Sequence, residues 1–129
     1  MLSISIHADP GFEYPHFIGY ADERGEGKGS GLHYNFPLPA RTNDEAYLKT
    51  LGQALAIIRK FQSNYLVLSA GMDIYRADKL GTFKISQTGI TEIGEQIASL
   101  KLPTVVVMEG GYANDVLGKN ILHLLGAIK

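Results

Sequence analysis

Two short apolar runs constrain this chain more than anything else in it. Tyr65-Leu66-Val67-Leu68 leads into Ser69-Ala70-Gly71-Met72-Asp73, and Val105-Val106-Val107-Met108 leads into Glu109-Gly110-Gly111-Tyr112. Each run is short, evenly hydrophobic and rich in branched residues, as a strand buried on both faces reads. Between them Ser86 can cap a helix running to Leu100, with Ile90, Ile93, Ile97 and Leu100 on one face. Strand, helix, strand implies parallel pairing through a right-handed crossover. Open α/β sheets carry their chemistry just beyond the strand ends. Asp73 and Tyr112 stand at those two points.

The rest of the chain extends the same pattern. Residues 2–6 alternate apolar side chains with serine and read as a strand that starts at the first residue, so the N-terminus looks cut. His7-Ala8-Asp9-Pro10-Gly11 ends it. Residues 10–41 read as an irregular stretch of about thirty residues, which in a compact domain is usually functional or mobile. Within it Asn35-Phe36-Pro37-Leu38-Pro39 reads as an extended segment held by its prolines. Thr42 or Asn43 caps a first helix, whose apolar positions are Ala46, Tyr47, Leu51, Ala54, Leu55, Ile58 and Phe61. After Tyr112, Asn114 or Asp115 caps a third helix with Val116, Leu117, Ile121, Leu124 and Leu125 inward. The expected fold class is therefore α/β: three strands and three helices, a partial parallel sheet with flanking helices in a three-layer manner, over one domain of residues 1–129. So few strands leave an unpaired edge.

Composition narrows the function. Of 129 residues, 45% are hydrophobic and 19% charged, enough for a packed core. The net charge of −1 lacks the basic excess of a general nucleic-acid or membrane-surface binder. No apolar run approaches the ~20 residues of a membrane span, and the default location is cytoplasmic. There is no cysteine, which removes disulfides, thiolate metal sites and cysteine nucleophiles. A metal would have to be held by histidine and carboxylate.

Each candidate has a plainer reading beside the functional one. Asp73 is either a turn former or, with Asp78 nearby, one of two carboxylates able to ligate a cation. Gly110-Gly111-Tyr112 is either a turn with a packing tyrosine or a tyrosine poised to donate to a developing oxyanion. His7 could be a ligand or a base, but a lone histidine is more often structural. His16, His33 and His123 carry less weight. Gly25-Glu26-Gly27-Lys28-Gly29-Ser30-Gly31 lacks the spacing of a phosphate-binding loop and no helix follows it.

Taken together, four segments resemble the C-terminal part of the zinc-dependent histone deacetylase superfamily, nearest its acetylpolyamine amidohydrolase-like and class II-like bacterial members. They are Ser3-Ile4-Ser5-Ile6-His7 with Tyr14-Pro15; residues 25–39, ending Asn35-Phe36-Pro37-Leu38-Pro39; Ser69-Ala70-Gly71-Met72-Asp73 with Asp78-Lys79-Leu80-Gly81, where Met72 and Lys79 depart from the family pattern; and Glu109-Gly110-Gly111-Tyr112. The resemblance implies the arginase/deacetylase fold. It implies that Asp73 is a ligand of the catalytic zinc and that Tyr112 polarises the amide carbonyl. Tyr14, Gly110 and Gly111 would line the substrate pocket. Ser5 and Ile6 would contribute to a structural potassium site. The implied substrate is an acetylated small amine or acetyl-lysine.

The family's Asp-x-His ligand pair and water-activating His-His pair lie upstream of the Ser5 strand, and this sequence begins after both. One carboxylate does not make a catalytic zinc site, which takes three protein ligands. The expectation is thus a family fragment, inactive alone and with its zinc site incomplete. The alternatives are half of an amide hydrolase completed by another chain or a longer native chain, or a small-ligand binding module. The missing strand would lie between the Ser69 and Ser5 strands, so either those two pair directly or another chain fills the gap. A homo-oligomer or a complementing chain at the exposed sheet edge is the expected partner.

Overall fold

A computed structural model of the chain describes residues 1–128, in two compact units, Met1–Ala40 and the remainder from Arg41. In the first unit, β1 (Ser3–Ala8) pairs in parallel with β2 (His33–Leu38), in a register from Ser3 opposite His33 to Ala8 opposite Leu38. β2 corrects the sequence reading, which left this stretch as extended loop. Pro37 hides the strand, because proline enters sheets only where no ladder donor is needed; β2 meets β1 on one side only, in a two-stranded sheet.

The connection between β1 and β2 is irregular but tied down by polar groups. Glu23 accepts from the backbone N–H groups of Tyr20 and Gly19, which hold its carboxyl below the usual range. Arg24 donates to the His33 carbonyl and stacks its guanidinium 3.8 Å over the Tyr34 ring. Asn35, buried, donates to the Tyr20 carbonyl.

The second unit follows the predicted order. α1 (Asp44–Phe61) begins where Asn43 accepts from Ala46 N–H, and its acidic first turn and basic last turn complement the helix dipole. It buries Tyr47, Leu51, Ala54 and Leu55, four of the seven positions read as apolar face; Phe61, at the helix end, is exposed. β3 (Leu66–Ala70) pairs in parallel with β4 (Thr104–Met108), Leu66 opposite Thr104 and Ala70 opposite Met108. Each strand of the chain thus pairs within its own unit, and the Ser5 and Ser69 strands lie in different sheets.

α2 (Gln87–Ala98) starts as expected at Ser86, which accepts from Gly89 N–H. Ser86 in turn donates both its N–H and its hydroxyl to Asp44 in the first turn of α1, at 2.8 and 2.5 Å, so one carboxylate ties two helix starts together. Ile90, Ile93 and Ile97 are buried where α2 packs on α1 and α3. α3 (Asn114–Ala127) departs from expectation twice. Ala113, with no side-chain cap, holds the position assigned to Asn114 or Asp115. Leu125 is exposed, while Leu124 and Asn120 are buried. Asn120 accepts from Gln87, which satisfies a polar group in the core.

The reading of both runs as strands buried on both faces is corrected here, because one face of the β3–β4 sheet is left open. Val67 and Val105, directly opposite one another, are 69% and 61% exposed, and Val107 beyond them is exposed as well. Among the described residues no helix is long and apolar enough to cross a membrane.

Candidate functional site

The parallel register brings the two candidate turns together. Ala70 and Met108 are partners at the C-terminal ends of β3 and β4. Just beyond, Glu109 N–H donates to the Ala70 carbonyl at 3.1 Å, and Met72 N–H donates to the Gly110 carbonyl at 2.7 Å. The turns carrying Asp73 and Tyr112 are therefore stitched to each other by backbone bonds.

Asp73 lies in a short 3-10 turn, Met72–Ile74, that anchors itself through buried Met72. Three glycines surround it. A Cβ on Gly71 would fall 2.7 Å from Asp73 Oδ1, one on Gly110 would strike Oδ2, and one on Gly81 would run into the Asp73 backbone carbonyl. The carboxylate occupies space left by the missing side chains of Gly71 and Gly110, and the Asp73 backbone occupies that left by Gly81. Tyr47, buried and edge-on to Phe83 at 6.0 Å, feels this charge. Burial first, and the Asp73 carboxylate second, push its hydroxyl up to about 12.

Tyr112 is 46% exposed. Gly111 before it has φ 145°, in the region that favours glycine, and a Cβ there would come within 2.9 Å of both Leu117 and Met72. The N–H groups of Tyr112 and Ala113 donate to Asp78 Oδ2 at 2.6 and 3.2 Å. Those of Leu80 and Gly81 donate to Oδ1 of the same carboxylate at 2.9 and 3.1 Å. Burial pushes the Asp78 carboxyl up, but these four N–H groups more than reverse it and hold the group below its usual range. The reading of Asp73 and Asp78 as paired cation ligands is corrected here. A carboxylate offers about four lone-pair sites, and those of Asp78 are spent on backbone. Sequence reasoning missed this role, since its main partner lies 34 residues downstream.

In the first unit, Ser5 and Ile6 lie on β1. A carbonyl oxygen can only accept, so His7 Nε2–H donates to the Gly19 carbonyl at 2.8 Å; in the neutral ring Nδ1 then accepts from the Ser5 hydroxyl at 2.7 Å. Both ring nitrogens are engaged, and His7 works as a pin for the loop at Gly19. Tyr14, 83% exposed, lies beside exposed Phe12, Phe17 and Ile18 in the chain, and its bond to Pro15 is cis. His123 is likewise structural, bonding Thr91 across α2 and α3 at 3.0 Å.

Among the described residues no three His, Cys, Asp or Glu side chains converge as a metal site. A catalytic zinc takes three protein ligands, and the Asp73 turn supplies one carboxylate. The described residues do not by themselves fit such an ion.

Comparison with known proteins identifies the family. The model of the histone deacetylase domain matches residues 1–128. Acetylpolyamine amidohydrolase 1 of Pseudomonas aeruginosa is 42% identical over 125 residues, which are 97% of this chain and 36% of that protein. Human histone deacetylase 1 is 32% identical over 115 residues, 87% of this chain and 23% of that protein. The crystal structure of acetylpolyamine aminohydrolase from Burkholderia pseudomallei superposes with a TM-score of 0.95 at 38% identity, covering 98% of this chain and 37% of that one. The α/β arrangement is thus that of deacetylase structures, and the chain spans about a third of the length of the amidohydrolases it matches. With its whole described length matched, the chain belongs to the histone deacetylase domain family.

Proposed function

We propose that this chain carries the carbonyl-polarising half of a zinc-dependent amide hydrolase acting on an acetylated amine, and that it is active only when joined to the remainder of the fold. That remainder is either a longer native chain or a second polypeptide. The observation that carries this reading is the stitched pair of turns holding Asp73 and Tyr112 at the ends of adjacent parallel strands. In this reading Tyr112 donates its hydroxyl hydrogen to the amide carbonyl oxygen as that oxygen gains charge, a contribution that grows toward the transition state. Asp73 is one metal ligand, fixed in its glycine cradle. Gly110 and Gly111 line the acyl side of the substrate pocket beside Tyr112, and Ser5 and Ile6, in the first unit, flank a potassium ion.

The bare valine face of β3 and β4 supports the need for a partner, because parallel sheets are stable when both faces are covered. The same face favours self-association in the isolated chain, which light scattering at high concentration would read. The test of function is hydrolysis of an acetylated polyamine by the chain alone, with zinc added, and by the chain mixed with the non-matching part of a related amidohydrolase. The expected result is turnover only in the mixture, lost with Tyr112→Phe. Turnover with stoichiometric zinc in the chain alone would overturn the proposal.

A further inference from the structure

We propose that Asp78 is the positioning residue for Tyr112, holding from a neighbouring loop the backbone that presents the tyrosine. This rests on the reading of Tyr112 as the carbonyl-polarising group, but its geometry stands separately. The glycine pair before Tyr112 offers no side chain to fix the turn, and Gly111 occupies a backbone region open chiefly to glycine. The tyrosine is nearly half exposed, so burial does little to set its direction. The helix that follows has no side-chain cap of its own. Asp78 answers all three deficits. Oδ2 takes the N–H groups of Tyr112 and Ala113, which puts a negative charge at the N-terminal end of α3, where the helix dipole favours it. Oδ1 takes the N–H groups of Leu80 and Gly81, so the carboxylate is itself immobile. A group bonded on both oxygens is a post and not a tether. Charge-assisted bonds of this kind are roughly twice as strong as neutral ones, and an amide in its place turns an N–H₂ toward one of the two pairs of donors.

The decisive experiment uses the chain itself. Amide proton shifts and hydrogen exchange are recorded for wild type and Asp78→Asn. The expected result is upfield movement and faster exchange at Tyr112 and Ala113, with Leu51 and Ile90 unchanged. Where the variant fails to fold, acidification of the wild type gives the same readout: the Tyr112 and Ala113 amides move together as Asp78 protonates, below the usual carboxylate range. Amides that stay in place in either experiment overturn the proposal. In the complemented enzyme, Asp78→Asn lowers kcat on the order of 100-fold with KM little changed, and has no further effect in a Tyr112→Phe background. An equal loss in that background overturns positioning through Tyr112. Full activity of Tyr112→Phe itself would defeat the assigned chemistry and leave the amide result standing, so the two failures are distinguishable.

Discussion

Tyr47 makes the second unit sensitive to alkaline pH in a way that can be worked out in advance. An unfolded chain releases a tyrosine proton near 10, whereas the folded protein holds that of Tyr47 until about 12. Between those values the unfolded state is the one that gains by ionising. The stability tied to this group is therefore complete below pH 10 and is lost as pH rises toward 12. Two pH units correspond to about 3 kcal/mol, of which roughly 1.4 kcal/mol is lost by pH 11. That is a large share of the roughly 5–15 kcal/mol that holds a typical domain together. Tyr47→Phe keeps the ring and its edge-on contact with Phe83 but has nothing to ionise. Urea unfolding of both proteins from pH 7 to 11 is the assay, and their difference removes the contribution of the chain's other tyrosines. The expected difference is flat to about pH 9 and then shifts by roughly 1.4 kcal/mol in favour of the variant by pH 11. Asp73→Asn leaves the onset where it is, at the unfolded tyrosine, and lowers the upper end of the window by less than half the full displacement, because burial is the larger cause. Parallel curves for wild type and Tyr47→Phe up to pH 11 would refute the reasoning.

Substitutions at four further positions test the packing around the site. Asp44→Ala leaves the Ser86 N–H and hydroxyl without their shared acceptor and costs about 1–3 kcal/mol in urea unfolding, with Asp44→Asn milder. Ile85→Ala, at a fully buried position bridged to Tyr75, costs about 2–5 kcal/mol and lowers Tm on the order of 10 °C by calorimetry. Gly81→Ala and Gly110→Ala differ in kind. The first drives a Cβ into the Asp73 backbone carbonyl; the second strikes the Asp73 carboxyl group, Oδ2 and Cγ both, displaces it and abolishes complemented activity; each destabilises by about 1–3 kcal/mol in urea unfolding.

What the sequence made legible follows from the range over which each signal acts. The β3 and β4 runs, the Asn43 and Ser86 caps and the buried faces of α1 and α2 are local patterns, and each was readable from its own few residues. The placement of Asp73 and Tyr112 beyond paired strand ends followed from the parallel crossover. β2 was hidden because Pro37 and Pro39 look like the end of a strand when the partner is unknown. The start of α3 was misread for a related reason: nearby Asn114 and Asp115 look like caps, while the carboxylate that binds the backbone there is Asp78, brought in by the fold. Leu125 was placed inward by helical spacing, but the tertiary contacts put Asn120 there and left Leu125 in solvent. The cradle around Asp73 was equally invisible, since nothing in Gly110 or Gly81 says which side chain needs the room.

The parallel register of β3 and β4 has a consequence for how this chain can change in length. Because the strands end level, the distance between the Asp73 and Tyr112 turns is set by the ladder and not by the residues that link the strands. Additions to the exposed link between α2 and β4 pass around the outside of the crossover and leave the site where it is. A single residue gained or lost between Met108 and Tyr112 has no such buffer. It displaces the tyrosine backbone by up to about 3.8 Å, one Cα–Cα step, and takes the Tyr112 and Ala113 N–H groups off the Asp78 carboxylate. A change in length is therefore tolerated in the link between α2 and β4 and not in the few residues from Met108 to Tyr112.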